Sequence, residues 1–352
     1  MRPIFLSIRA GAATLCLSAA VAAQQTPPPS QAVVLKGKAP VSDKVLDVKL
    51  PRPKEGTLAN GLRLIVLEDH RTPQVSFQML IPGAGGYFDA PGSVGLASVT
   101  ATMMREGTAS RTTVQIAEQL ETMAATVTGG AGMASLDASF TGSALTEHLD
   151  KLFELAADIL LNPTFPEEEF VKYRTRTLAG LQQQRSNPGF LGQELWSKVM
   201  NGDHPAGRIS MTPASLNALT RQQMVEFHRT RYVPDNAVMA FAGDISYDAA
   251  QKLIETRLGA WKKAGVAAAA ASDPAAAGAG KVHLVDRPNS VQTNFIVGTQ
   301  AISRKDSDYD AFQLMNAVVG GGPTGRLFLH LREEKGYTYG AYSGLTAGRF
   351  KG

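Results

Sequence analysis

At 352 residues the chain is long enough for about two domains, and 44% hydrophobic against 19% charged residues lets it bury a sizeable core. Thirty-five Lys and Arg against 31 Asp and Glu leave a net charge of +4, too small and too scattered for a nucleic-acid footprint. Nucleic acid is therefore not an expected partner.

Residues 1–23 read as a secretory signal. Arg2 and Arg9 form a positive start, Ala10 to Val21 a short apolar run, and Val21-Ala22-Ala23 a small-residue cleavage site before Gln24. The run is too short to span a bilayer, and no later stretch reaches eighteen apolar residues, so no membrane span is expected. The sole cysteine, Cys16, lies inside the signal behind Leu15, which does not suit a lipoprotein site. The mature chain then has no disulfide, no thiol nucleophile and no thiolate metal site. An exported, periplasmic protein is the expectation.

Residues 24–55 carry Pro and Lys without periodicity and read as an extended lead-in. A first domain is expected over 56–264. Asn60-Gly61 is a hairpin-type turn before a strand at Leu62–Leu67, and Val75–Ile81 alternates as a second strand. The Gly-rich loop Gly83–Ser93 leads to a densely apolar helix at Val94–Arg105. Further helices are expected at Thr113–Thr122, Thr146–Leu161 and Glu167–Arg185, then a buried strand at Val238–Ala242 and a helix at Tyr247–Leu258. The Ala-, Gly- and Pro-rich stretch 265–280 reads as a linker. Beyond it, over 281–352, a strand at Val291–Val297 and a helix at Tyr309–Val319 repeat the strand–loop–helix opening of the first domain.

Four stretches now carry a resemblance: Gly95-Leu96-Ala97 through Glu106-Gly107-Thr108; His204-Pro205 with Thr212–Phe227; Tyr232-Val233-Pro234-Asp235-Asn236 to Gly243-Asp244-Ile245; and Gly320 to Tyr339. Together they resemble the pitrilysin/insulinase-type zinc peptidases, the inverzincins. The resemblance implies an α+β fold of repeated half-units, each an antiparallel sheet covered by helices. Two such subunits would close as a clamshell, and the second unit of this chain reads as truncated soon after Tyr339. Peptide-cutting members carry His-x-x-Glu-His on the helix after Gly-Leu-Ala. Two His one turn apart face one zinc, and the Glu between them is the general base. The matching positions here are Ser98, Ala101 and Thr102, and the later Glu ligand falls at Gly180. Hydroxyls, a methyl group and a hydrogen atom supply neither zinc ligands nor a base.

The six histidines offer no substitute, since no two lie four residues apart and His330-Leu-Arg-Glu333 lacks a second His. Gly320–Gly325 lacks the Gly-Lys-Ser/Thr ending of a phosphate loop. The second-domain signature is kept: Arg332 and Tyr339 match the family's Arg/Tyr pair, which donates to a substrate carbonyl and a tetrahedral oxyanion. The alternative for these two is an Arg332 ion pair with Glu333 or Glu334 and a Tyr339 packed in a strand. Arg326, beside the Gly-rich turn, is expected to act through folding.

The expectation is a non-catalytic, peptide-binding subunit of a heterodimeric zinc peptidase, inactive alone. Its partner would be a homologous subunit bearing the zinc motif and the zinc, and its substrates extended peptides added to a sheet edge. Two other readings stand beside it: a catalytically dead scaffold of a larger complex, and a periplasmic peptide-binding protein acting alone.

Overall fold

The computed structural model describes residues 51–265, 270–275 and 280–352. The signal, its cleavage site, most of the lead-in and part of the linker expected from the sequence lie outside the described residues.

Among the described residues six strands form one mixed sheet in the order β1-β2-β6-β3-β5-β4. β1 (Lys54–Thr57) and β2 (Arg63–Glu68) form an antiparallel hairpin around Asn60-Gly61, so Lys54 and Glu55 belong to the sheet, not to the lead-in. β3 (Gln74–Pro82) buries Val75, Phe77, Met79 and Ile81 on one face and leaves Gln74, Ser76, Gln78 and Leu80 on the other, the period-2 alternation of a strand with one wet face. β4 (Thr126–Ala131) and β5 (Asp137–Leu145) form a hairpin that extends the sheet beyond β3. β6 (Val238–Gly243) runs parallel to β2 and antiparallel to β3, between them.

Helices cover only the apolar face. α1 (Leu96–Met103) lies over β4 and β5, and α2 (Thr113–Thr122) follows it. A Thr112/Gln115 capping box starts α2 by satisfying two orphan backbone groups. α3 (Leu149–Leu161) turns its apolar stripe onto β5. Then come α4 (Glu167–Arg185), α5 (Pro188–Asn201), α6 (Pro213–Ala218), α7 (Arg221–Arg231) and α8 (Tyr247–Leu258). At the centre of the core Phe77 packs on Phe140, Phe153 and Phe241 with ring centroids 6.1, 5.6 and 5.9 Å away.

Beyond α8 come α9 (Tyr309–Gly320) and α10 (Arg326–Phe328), which runs into a π-helical segment at Leu329–Glu334. The strand expected at Val291–Val297 does not form. Val291, Phe295 and Val297 are almost fully exposed and no ladder reaches them. A strand is defined by its neighbour, and this segment has none. Of the expected repeat only the helix appears.

Asp158 ties α3 to the loop before α2. Its carboxylate accepts from Thr108 Oγ1 at 2.6 Å, Ser110 Oγ at 2.8 Å and Arg111 at 2.7 Å. Burial pushes the carboxyl up, and these donors together with Asn162 pull it down further, so its pKa ends below the usual carboxylate value. A depressed carboxylate contributes stability above its unfolded pKa and loses it as pH falls through the folded one. Asp158→Ala should cost about 1–3 kcal/mol near neutral pH, because it strands those donors. The urea midpoint of the variant should also respond less to acidification between the two pKa values.

Candidate functional site

The site is built on α1, whose place is fixed from its first turn. Gly95 precedes the helix at φ +104°, a left-handed conformation that favours glycine. The buried carboxylate of Asp89 closes the turn, accepting from the N–H of Gly95 at 2.8 Å and of Ala97 at 3.1 Å. Burial pushes Asp89 up to about 6, against these backbone donors and the charge of Arg208. Arg208 in turn donates to the carbonyls of Gly86 and Asp89, both at 2.9 Å. One guanidinium thus pins the Gly-rich loop that holds the helix.

On α1, Ser98 and Thr102 stand one turn apart, with the Thr102 hydroxyl donating back to the Ser98 carbonyl at 2.9 Å. Ala101 is fully buried, and its carbonyl backs onto Gly129 of β4 so closely that no side chain fits at Gly129. α4 carries the half-buried Tyr173, with Thr177 one turn on. Burial, the larger effect, pushes the Tyr173 phenol's pKa up against hydrogen bonding to the hydroxyls of Thr177 and Thr102. Gly180, one turn beyond Thr177, is exposed, and a Cβ there would meet open space.

This donor set does not fit zinc. At the positions where the sequence leads one to expect ligands and base, Ser98 and Thr102 carry neutral hydroxyls and Ala101 no carboxylate, whereas zinc takes thiolate, imidazole and carboxylate ligands. Among the described residues no group of three His, Cys, Asp or Glu could hold a metal ion. Four of the six histidines are engaged separately. His204 Nδ1 accepts from the Ala206 N–H, which leaves Nε2 to face Tyr87 Oη at 3.3 Å. His228 Nε2 donates to the Leu160 carbonyl at 2.8 Å, and burial lowers its pKa. His70 bonds Asp244 at 2.6 Å and His330 bonds Glu334 at 2.7 Å.

Arg332 sits on the π-helical segment, with its guanidinium 4.9 Å from the Phe328 ring centroid and 3.5 Å from Glu333. Gly336, at φ +64°, ends that segment by donating to the Arg332 carbonyl, while Tyr337 N–H donates to Leu331. This double closure turns the chain sharply before Tyr339. Tyr339 is 87% exposed and lies in no strand. Both side chains present their donors to solvent. Arg326 is exposed at the start of α10, which removes the reason to expect a folding role.

Sequence reasoning missed β4. It is an edge strand, paired only with β5 among the described strands, and it lies against α1. A cleft of about 380 Å³ opens between this edge and α2, lined by Arg105, Ile116, Leu120, Thr126 and Thr128 among others. Tyr173 and Thr177 were missed too, although their i, i+4 spacing on a helix puts both on one face.

Two family models match the chain in succession: Insulinase (Peptidase family M16) over residues 63–214, and Peptidase M16 inactive domain over 218–350. Curated relatives include an uncharacterized zinc protease of Mycobacterium leprae, 25% identical over 82% of this chain and 65% of its own length. Another, from Streptomyces coelicolor, is 26% identical over 82% of this chain and 63% of its own length. The chain therefore spans somewhat less than two thirds of these relatives. Among solved structures, a peptidase M16 inactive domain from Pseudomonas fluorescens superposes with a TM-score of 0.75 at 28% identity, covering 86% of this chain and 72% of that one. A protease from Helicobacter pylori shares the fold at a TM-score of 0.65 and 16% identity, over 86% of this chain and 73% of its own.

Proposed function

The chain belongs to the pitrilysin/insulinase family of zinc peptidases, and from that premise we infer that it is a non-catalytic subunit which binds peptide for a zinc-bearing homologue. The observation that carries this reading is the state of α1. The helix, its buried Asp89 cap and its contact with β4 are intact, while Ser98, Ala101 and Thr102 stand where ligands and base belong. A fold kept around a site without donors retains its binding surface and lacks its chemistry.

The surface that suits an extended peptide is the β4 edge, beside α1, where a strand can add through main-chain hydrogen bonds with little sequence preference. Arg332 and Tyr339, exposed on the later segment, are suited to donate to a substrate carbonyl and its oxyanion in the partner's site. Export to the periplasm belongs to the same proposal and rests on residues 1–23.

Elemental analysis tests the reading on the chain itself. The purified protein should hold no stoichiometric zinc after passage over a mild chelator. One tightly held zinc per chain, or chelator-sensitive peptide hydrolysis by this chain alone, would overturn it.

A further inference from the structure

The β4 edge is not bare. Arg105, in the turn that ends α1, donates from its guanidinium to the Val127 carbonyl at 3.3 Å. Val127 is the second residue of β4, an edge strand of the sheet. Arg105 also lines the cleft between that strand and α2. Among the described residues it has no carboxylate partner, although Glu106 and Glu121 line the same cleft. A cation is therefore parked on a backbone acceptor at the strand edge, without an ion-pair partner among the described residues.

We infer that Arg105 is a specificity-determining residue for the bound peptide, selecting an acidic side chain at the position that sits beside Val127. This rests on the peptide-binding reading of the β4 edge. A peptide strand that adds there competes with Arg105 for Val127 or crowds its guanidinium. With a neutral residue at that position, the protein loses a charge-assisted hydrogen bond and gains nothing for it. With Glu or Asp there, the freed guanidinium acquires a carboxylate partner and the loss is offset. Lysine adds repulsion to the loss. Glu106 and Glu121 disfavour acidic side chains elsewhere in the cleft, so the preference belongs to one peptide position and not to overall peptide charge.

The test is fluorescence anisotropy with the full chain and labelled short peptides of Thr, Val and Ala, through which a single Glu or a single Lys is walked. The wild type should show one position where Glu binds about three- to fivefold more tightly than Lys, the range of a partly exposed ion pair. Arg105→Ala should bring that ratio near one while tightening the all-neutral peptide, because no hydrogen bond is then lost on docking. Arg105→Glu should invert the ratio in favour of Lys at the same position. Circular dichroism melts of the two variants check that the fold is kept, and the inversion is a readout that misfolding does not produce. Peptides that bind with the same Glu/Lys ratio in wild type and Arg105→Glu would overturn the role of Arg105 and leave the edge reading standing. Failure of every peptide to bind the wild type would overturn both.

Discussion

Arg332→Ala and Tyr339→Phe should each lower kcat of the complex with a zinc-bearing homologue by roughly 10²–10³, about 3–4 kcal/mol, the loss that follows removal of one preorganised oxyanion donor. Assembly should be unchanged. Tyr339 is 87% exposed, and Arg332 is exposed with its guanidinium beside Phe328 and Glu333. Exposed substitutions of this kind usually change stability by about half a kcal/mol or less. A fall in turnover would therefore report lost chemistry and not lost folding. The check is to copurify each variant with the zinc subunit and measure kcat and KM on an unstructured peptide. Arg326→Ala, also exposed, serves as the neighbouring control.

The second large effect is on stability. Phe77 stands where β3, β5, β6 and α3 converge, against Phe140, Phe241 and Phe153. Phe77→Ala should cost about 3–5 kcal/mol, from lost transfer energy and the cavity left among three rings that cannot close it. That is a large share of the roughly 5–15 kcal/mol that holds a typical domain together. The urea midpoint should fall accordingly. A variant within about 1 kcal/mol of wild type would show that the rings repack, as they do at sites able to collapse.

Legibility in the sequence tracked how far each element is decided locally. β3 was readable because four apolar residues alternate with polar ones, and α3 because its stripe covers eight buried positions. The β4–β5 hairpin was not. Its sequence is rich in Gly, Ala, Ser and Thr, because Gly129 must clear the α1 backbone and Gly142 must clear the Phe77 ring. Tight packing had replaced the large β-formers that mark a strand. The opposite error occurred at Val291–Val297, where β-forming residues have no neighbouring strand and lie exposed. Strand formation is a property of pairs, and the pattern of one segment cannot supply the other.

The candidate site divides the same way. Ser98, Ala101 and Thr102 could be placed from the motif around them, since helix spacing fixes which side chains share a face. Arg105 reaching Val127 depends on how β4 packs against α1. Sequence separation hides contacts of that kind.

The reading that this chain binds peptide and supplies no catalytic metal site of its own is tested by hydrolysis of one unstructured peptide by three samples: this chain alone, a zinc-bearing homologue alone, and the two together. No turnover by this chain, little by the homologue and strong turnover by the mixture are the expected results. Hydrolysis by this chain alone, or a homologue whose turnover is the same with and without it, would show that this chain is not a non-catalytic peptide-binding subunit.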